Sequence, residues 1–265
     1  MADWETRVVR SDGCRVAYDC RQGEGPEVVL LHGYGLDRTM WAPQLAALEG
    51  WTVLNLDIRG HGDSRPCADF SIPQAAEDLR AVLVKERCRA PVLVGLSMGG
   101  YVVQEYAWQF GGCAGYLVAG ATPILLDCYS GWERAGLRGV WPWRCLKSAM
   151  AMACSSTEEG RAAVRRMFDQ LTRREFLRGW RGIAQCLHPE KHFSFDAPLL
   201  VCRGERDRTG TIARHMEDWK RAWPETETAV LPGAAHVVNL DAPEAFNRLL
   251  LDFLTRCGGS RRGRR

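Results

Sequence analysis

One serine stands where nucleophilic chemistry is expected. Gly95-Leu96-Ser97-Met98-Gly99 follows the apolar run Val92-Leu93-Val94 and precedes a helix-compatible stretch. A serine on a tight turn from strand to helix is held in a strained backbone conformation with its hydroxyl pushed outward. Gly95 and Gly99 fit that turn, because side chains there would collide with the neighbouring strand or helix. The helix that follows would aim its free N–H groups at a developing oxyanion.

A serine hydroxyl is a poor nucleophile until a base takes its proton. The chain offers six histidines. His32 and His61 fall in glycine-rich loops after strands, and His188, His192 and His215 fall in a helical block or on a predicted helix. His236 lies in a loop after the last predicted strand, where the carboxyl ends of a parallel sheet collect active-site residues. An acid must orient the imidazole and stabilise its cation. Asp207, in the loop after the preceding strand, fits; Glu205, two residues earlier, and Asp127, after another strand, are its rivals. The second oxyanion donor is expected from His32-Gly33-Tyr34-Gly35, with the Tyr34 N–H joining that of Met98.

The elements that must position these groups alternate. Val8–Tyr18 reads as a hairpin turning at Asp12-Gly13. Strands are expected at Val28–Leu31, Trp51–Asp57, Val92–Val94, Tyr116–Ala119, Leu199–Cys202 and Thr228–Leu231. Helices are expected at Thr39–Leu48, Pro73–Arg87, after Ser97, at Thr211–Ala222 and at Pro243–Arg256. Such alternation implies an α/β fold with a mostly parallel sheet covered by helices on both faces. Between residues 122 and 195 the alternation stops. Val164, Met167, Phe168 and Leu171 share one helical face; Phe176, Leu177, Trp180, Ile183, Ala184 and Leu187 share another. This block reads as a helical lid inserted into a core of residues 1–121 and 196–257, with residues 258–265 as a basic, frayed tail. Trp132, Trp141, Trp143 and Trp180 in the lid are candidate substrate contacts. The lid has 12 Lys/Arg against 7 Asp/Glu. An apolar roof with a cationic rim, including Arg134 and Arg138, would favour apolar substrates bearing an acid.

Composition bounds the partners. The net charge of +3 includes four arginines in the last six residues, so the remainder is slightly acidic and no nucleic-acid partner is implied. The uncharged run 106–126 is broken by glycines and Pro123, which argues for a buried strand rather than a membrane span. Eleven scattered cysteines without a C-x-x-C pair, and an acidic start with no apolar leader, favour free thiols in a reducing cytoplasm. Cys186, His188 and His192 match no standard zinc spacing. No metal or cofactor is expected.

Taken together, His32-Gly33-Tyr34-Gly35, Asp57 to Ser64, Gly95 to Gly100, Gly204 to Asp207 and His236 to Pro243 resemble the α/β-hydrolase fold enzymes over nearly the whole chain. The resemblance implies Ser97 as nucleophile, Asp207 as acid and His236 as base, in the order of that family. Asp57 and His61 belong to a shared scaffolding loop and are given no catalytic role. Serine at position 97 excludes the members with an aspartate nucleophile. Met40-Trp41-Ala42-Pro43-Gln44, with Gly95–Gly100 and Gln104, is similar to the 3-oxoadipate enol-lactonase group. The implied activity is hydrolysis of a small carboxylic ester or lactone through an acyl-enzyme. A carbon–carbon bond hydrolase or lyase using the same triad, and a hydrolase-fold ligand receptor with slow or no turnover, are the alternatives.

Overall fold

The computed structural model describes residues 3–23, 25, 27–125, 143–187 and 192–259. Strands β1 (Glu5–Ser11) and β2 (Cys14–Arg21) form the expected hairpin. Asp12 and Gly13 both have positive φ, 45° and 70°, the backbone twist a two-residue hairpin turn requires. After β3 (Glu27–Leu31) the predicted helix divides into a 3-10 turn, Arg38–Trp41, and a short helix α1 (Ala42–Ala47). Pro43 explains the division, because it can open an α-helix but cannot donate inside one. Strand β4 (Thr52–Leu56) leads into helix α2 (Ile72–Lys85), which is capped by Ser71 accepting from the Gln74 N–H and stops before Arg87, at φ 56°. Then come β5 (Val92–Leu96), α3 (Met98–Gln109) and β6 (Gly115–Ala119).

Among the described residues three consecutive helices follow, α4 (Trp143–Cys154), α5 (Glu158–Asp169) and α6 (Arg173–Ala184). Thr157 caps α5 through the Gly160 N–H, and Thr172 forms a capping box with Glu175 at the start of α6. Val164, Met167 and Phe168 are the buried hydrophobic residues of α5, as their spacing predicts. The fully buried side of α6 is Phe176, Gly179, Gly182 and Ile183, whereas Leu177 and Trp180 are half-buried. The glycines are there for close approach. A Cβ at Gly179 would lie 2.6 Å from the Tyr34 ring, and one at Gly182 would lie 2.5 Å from Phe70. Strand β7 (Leu199–Gly204), a 3-10 turn Ile212–His215, α7 (Met216–Ala222), β8 (Glu227–Leu231), a one-turn α8 (Val238–Asp241) and α9 (Pro243–Gly259) are the remaining elements among the described residues. Helix α9 runs three residues past its predicted end at Arg256.

The eight strands form one sheet in the order β1-β2-β4-β3-β5-β6-β7-β8. β1 and β2 pair antiparallel, as do β2 and β4; every other pair is parallel. All residues of β4, β5 and β6 are buried, as strands covered on both faces must be. The central strands therefore hold the carboxyl ends of β3, β5, β6 and β7 side by side, which is where the serine, the acid and the glycine-rich loop emerge.

The expectation of free thiols fails at one pair. Cys14, at the start of β2, and Cys67 are joined by a disulfide with their Cα atoms 5.5 Å apart. They are 53 residues apart in sequence, a separation that carries no local signal. No helix among the described residues is long and apolar enough to cross a membrane.

Candidate active site

Ser97 occupies the single residue between the end of β5 and the start of α3. Its φ of 53° and ψ of −112° are unfavourable for any residue with a Cβ. The surroundings enforce that conformation. The Ser97 N–H donates to Ala119 O on β6 at 2.7 Å, and the Gly99 N–H donates to His32 O at 3.1 Å. A Cβ at Gly95 would sit 2.3 Å from Gly99 O, and one at Gly99 would sit 2.2 Å from Leu31 O. Helix α3 is thus pressed against β5 and β3 as tightly as backbone permits. The Met98 amide is the first of the helix and has no carbonyl four residues back within it.

The loops after β7 and β8 bring the next two groups together. The Glu205 N–H donates to Leu231 O at 2.9 Å and the Arg206 N–H to Ala234 O at 2.8 Å, so the two loops are zipped. Asp207 Oδ2 lies 2.9 Å from His236 Nδ1, with both residues buried. Asp207 Oδ1 accepts the Thr209 N–H at 2.8 Å. Burial opposes the charge on Asp207, but His236 and Thr209 outweigh it and hold the carboxyl below its ordinary range. With Nδ1–H donated to this carboxylate, Nε2 is the nitrogen left to accept a proton. Gly120, at φ 59°, ends β6 against the same imidazole: a Cβ there would come 3.2 Å from His236 Nδ1. The rival acid Glu205 is exposed and accepts the Gly233 N–H at 2.9 Å. Asp127 lies outside the described residues.

His32 and His61 have fixed, uncharged positions. His32 Nε2 accepts the Ile58 N–H at 2.9 Å, which leaves Nδ1–H to donate to Gly33 O at 2.8 Å. Burial pushes His32 down to about 4 and His61 to about 3. His32 therefore works as a neutral pin between the loop after β3 and the loop after β4. Asp57 accepts the N–H groups of Arg38 and Asp63 at 2.7 and 2.8 Å. Neither Asp57 nor His61 is among the residues lining the cleft described next.

Ser97, Met98, Gly33, Tyr34 and His236 line one cleft, which encloses about 800 Å³ of space including its open mouth. Its walls are apolar: Leu36, Leu96, Met150, Phe168, Ile183 and Ile212. Tyr101 and Thr122 add a hydroxyl pair 2.9 Å apart. Of the four expected tryptophans, Trp180 lines the cleft; Trp143 packs on the Phe176 ring at 5.0 Å and is not among the lining residues. Trp132 and Trp141 lie outside the described residues, as do Arg134 and Arg138. Among the described lining residues there is no lysine or arginine, so the expected cationic rim has no described member there. Arg178 of α6 donates instead to the backbone carbonyls of Cys67 and Ala68.

The helices between β6 and β7 grip the glycine-rich loop directly. The Tyr34 hydroxyl donates to Phe176 O, Phe168 packs where a Cβ on Gly35 would be, and Gln170 Nε2 donates to Asp37 Oδ2 at 2.8 Å. Gln104, singled out by its place in the motif, fastens the loop after β6 by donating to Thr122 O at 3.0 Å and accepting the Ile124 N–H at 2.7 Å. Gln44 and Asn239 tie α1 to α8, with Asn239 Nδ2 donating to Met40 O at 2.8 Å. Sequence reasoning missed Thr209, Gly120 and Asp241. Gly120, directly after an apolar strand, was the one with a local signal. Among the described residues no group of three or more His, Cys, Asp or Glu side chains could hold a metal ion. In the set Cys186, His188 and His192, the first is buried, the second lies outside the described residues and the third is exposed.

Residues 28–249 match the model of the Alpha/beta hydrolase family. Over 256 residues the chain is 25% identical to a putative non-heme chloroperoxidase of Synechocystis, covering 88% of this chain and 92% of that protein. Over 249 residues it is 26% identical to a pimeloyl-acyl-carrier-protein methyl ester esterase of Yersinia enterocolitica, covering 87% and 94%. Among solved structures, the enol-lactonase from Burkholderia xenovorans LB400 superposes with a TM-score of 0.81 at 22% identity, covering 94% of this chain and all of that one.

Proposed function

Since the chain belongs to the alpha/beta hydrolase family, we propose that it is a serine hydrolase that cleaves a carboxylic ester or lactone through an acyl-enzyme on Ser97. The carrying observation is the buried Asp207–His236 pair, whose histidine lines the same cleft as the strained serine. In this reading Ser97 Oγ attacks the carbonyl carbon while His236 Nε2 takes its proton. Asp207 holds the imidazole by Nδ1 and stabilises its cation. The Tyr34 and Met98 N–H groups receive the oxyanion, each such donor contributing on the order of 3 kcal/mol to the transition state. His236 then protonates the leaving alkoxide and activates the water that releases the acid.

The helices α4 to α6, within residues 122–195, act as a cap over the cleft. The apolar walls favour an ester whose buried part is apolar, and the relative named as a methyl ester esterase is in keeping with this chemistry. The test is turnover of p-nitrophenyl esters of increasing chain length by the wild type and by Ser97→Ala. Many turnovers, lost in the variant, are expected. A single turnover per chain would favour the receptor reading, and activity confined to carbon–carbon substrates would favour the lyase reading.

A further inference from the structure

We propose that Asp241 is a positioning residue for the reaction: its carboxylate fastens the loop that carries His236 to the turn between helices α4 and α5. The inference rests on the reading of His236 as the base. Asp241 ends the one-turn helix α8 and lies five residues after the histidine. Its Oδ1 accepts the Ser155 hydroxyl at 2.5 Å and the Thr157 hydroxyl at 3.3 Å. Its Oδ2 accepts the Ser156 N–H at 2.9 Å, the Ser156 hydroxyl at 3.0 Å and the Ala235 N–H at 2.8 Å. Five donors thus converge on one carboxylate, four from the turn between α4 and α5 and one from the residue just before His236.

The residue just after His236 is held from the same place. The Val237 N–H donates to Cys154 O at 2.9 Å. His236 is therefore bracketed, with both neighbours tied to residues 154–157. Gly160 keeps room for the cluster, since a Cβ there would lie 2.3 Å from Ser155 Oγ and 2.9 Å from Asp241 Oδ1. Ser155, Ala235 and Val237 are buried, so water does not readily replace a lost partner.

An ionised carboxylate is an acceptor only, which suits five donors. In Asp241→Asn the amide oxygen keeps the Ala235 and Ser156 N–H groups, which share Oδ2, and the NH₂ faces the Ser155 hydroxyl in place of Oδ1, where an N–H···O contact prefers about 2.9 Å to the 2.5 Å of the present bond and pushes the loop off the turn by about 0.4 Å. The displacement reaches His236 through one peptide unit. Misplacing a catalytic group by about 1 Å costs about 100-fold in rate, so a shift of about 0.4 Å costs about 5- to 10-fold. The loss falls on the transition state, because Asp241 is not among the residues lining the cleft where substrate binds.

The experiment is steady-state hydrolysis of p-nitrophenyl esters by the wild type, Asp241→Asn and Ser156→Ala, with melting temperatures measured alongside. Asp241→Asn is expected to lose about 5- to 10-fold in kcat with KM changed by less than about twofold. Ser156→Ala, which removes one donor, is expected to lose kcat by a smaller factor with the same split. If Asp241→Asn does not fold, the double variant Ser155→Ala/Ser156→Ala carries the same comparison. A lowered melting temperature with kcat unchanged would overturn the proposal and leave Asp241 a fastening of the fold. An inactive wild type would overturn the esterase reading beneath it, so the two failures are distinct.

Discussion

The strained serine makes an unusual stability prediction. At φ 53° and ψ −112°, Ser97 is held where a Cβ collides with its own backbone. Such conformations cost about 1–3 kcal/mol each. Ser97→Ala removes the hydroxyl and keeps the Cβ; Ser97→Gly removes both. At an ordinary position glycine is less stable than alanine by about 0.5–1 kcal/mol, because its unfolded chain is freer. Here relief of the strain exceeds that disadvantage, so Ser97→Gly is expected to be more stable than Ser97→Ala by about 1–2 kcal/mol. For a chain of this size that is a rise in melting temperature of about 2–8 °C. Both variants lose turnover. Urea unfolding and a thermal scan of the two proteins, beside an ester assay, measure the sign. Equal stabilities, or alanine the more stable, would refute the claim that the fold strains the backbone to present the hydroxyl.

Acid stability follows from His32 and His61, which burial pushes down to about 4 and about 3 from the ordinary 6.5. Both stay neutral in the folded chain while the unfolded chain takes up protons below 6.5, so stability falls as the pH drops from about 6.5 towards 4. Each imidazole removes about 2 kcal/mol between pH 7 and pH 5. Urea midpoints at the two values measure the loss, and His32→Asn is expected to remove one histidine's share; a flat profile would contradict it. Gly35→Ala places a Cβ 2.3 Å from the Phe168 ring at φ 72° and pushes the loop bearing Tyr34 off the cap. It is expected to lower kcat/KM for p-nitrophenyl esters by about tenfold or more, and an unchanged value would show that the loop is not set by that contact.

Local chemistry made the central features legible. Val92 to Gly99 reads as strand, turn and helix because apolar run, flanking glycines and serine all agree. The positions of Asp207 and His236 follow from where β7 and β8 end. What escaped was made by contacts distant in sequence. Gly179 and Gly182 carry no hydrophobic signal, yet they share the buried face of α6 with Phe176 and Ile183 because Tyr34 and Phe70 press against them. Asp241 stood within a recognised motif, but its role depends on Ser155 and Ser156, more than 80 residues earlier. The cationic rim rests on a count of charges, and the arginines named for it, Arg134 and Arg138, lie outside the described residues. Arg178 shows why a count does not decide direction, since its guanidinium turns to backbone carbonyls beside the cap.

A covalent acyl-enzyme on Ser97 is the intermediate on which the proposed reaction depends, and mass spectrometry of the protein quenched during turnover of p-nitrophenyl acetate looks for it. An added acetyl mass is expected on the peptide containing Ser97, formed with a burst of p-nitrophenol and absent from Ser97→Ala. Sustained turnover with no adduct, or with the acetyl group on another residue, would contradict it.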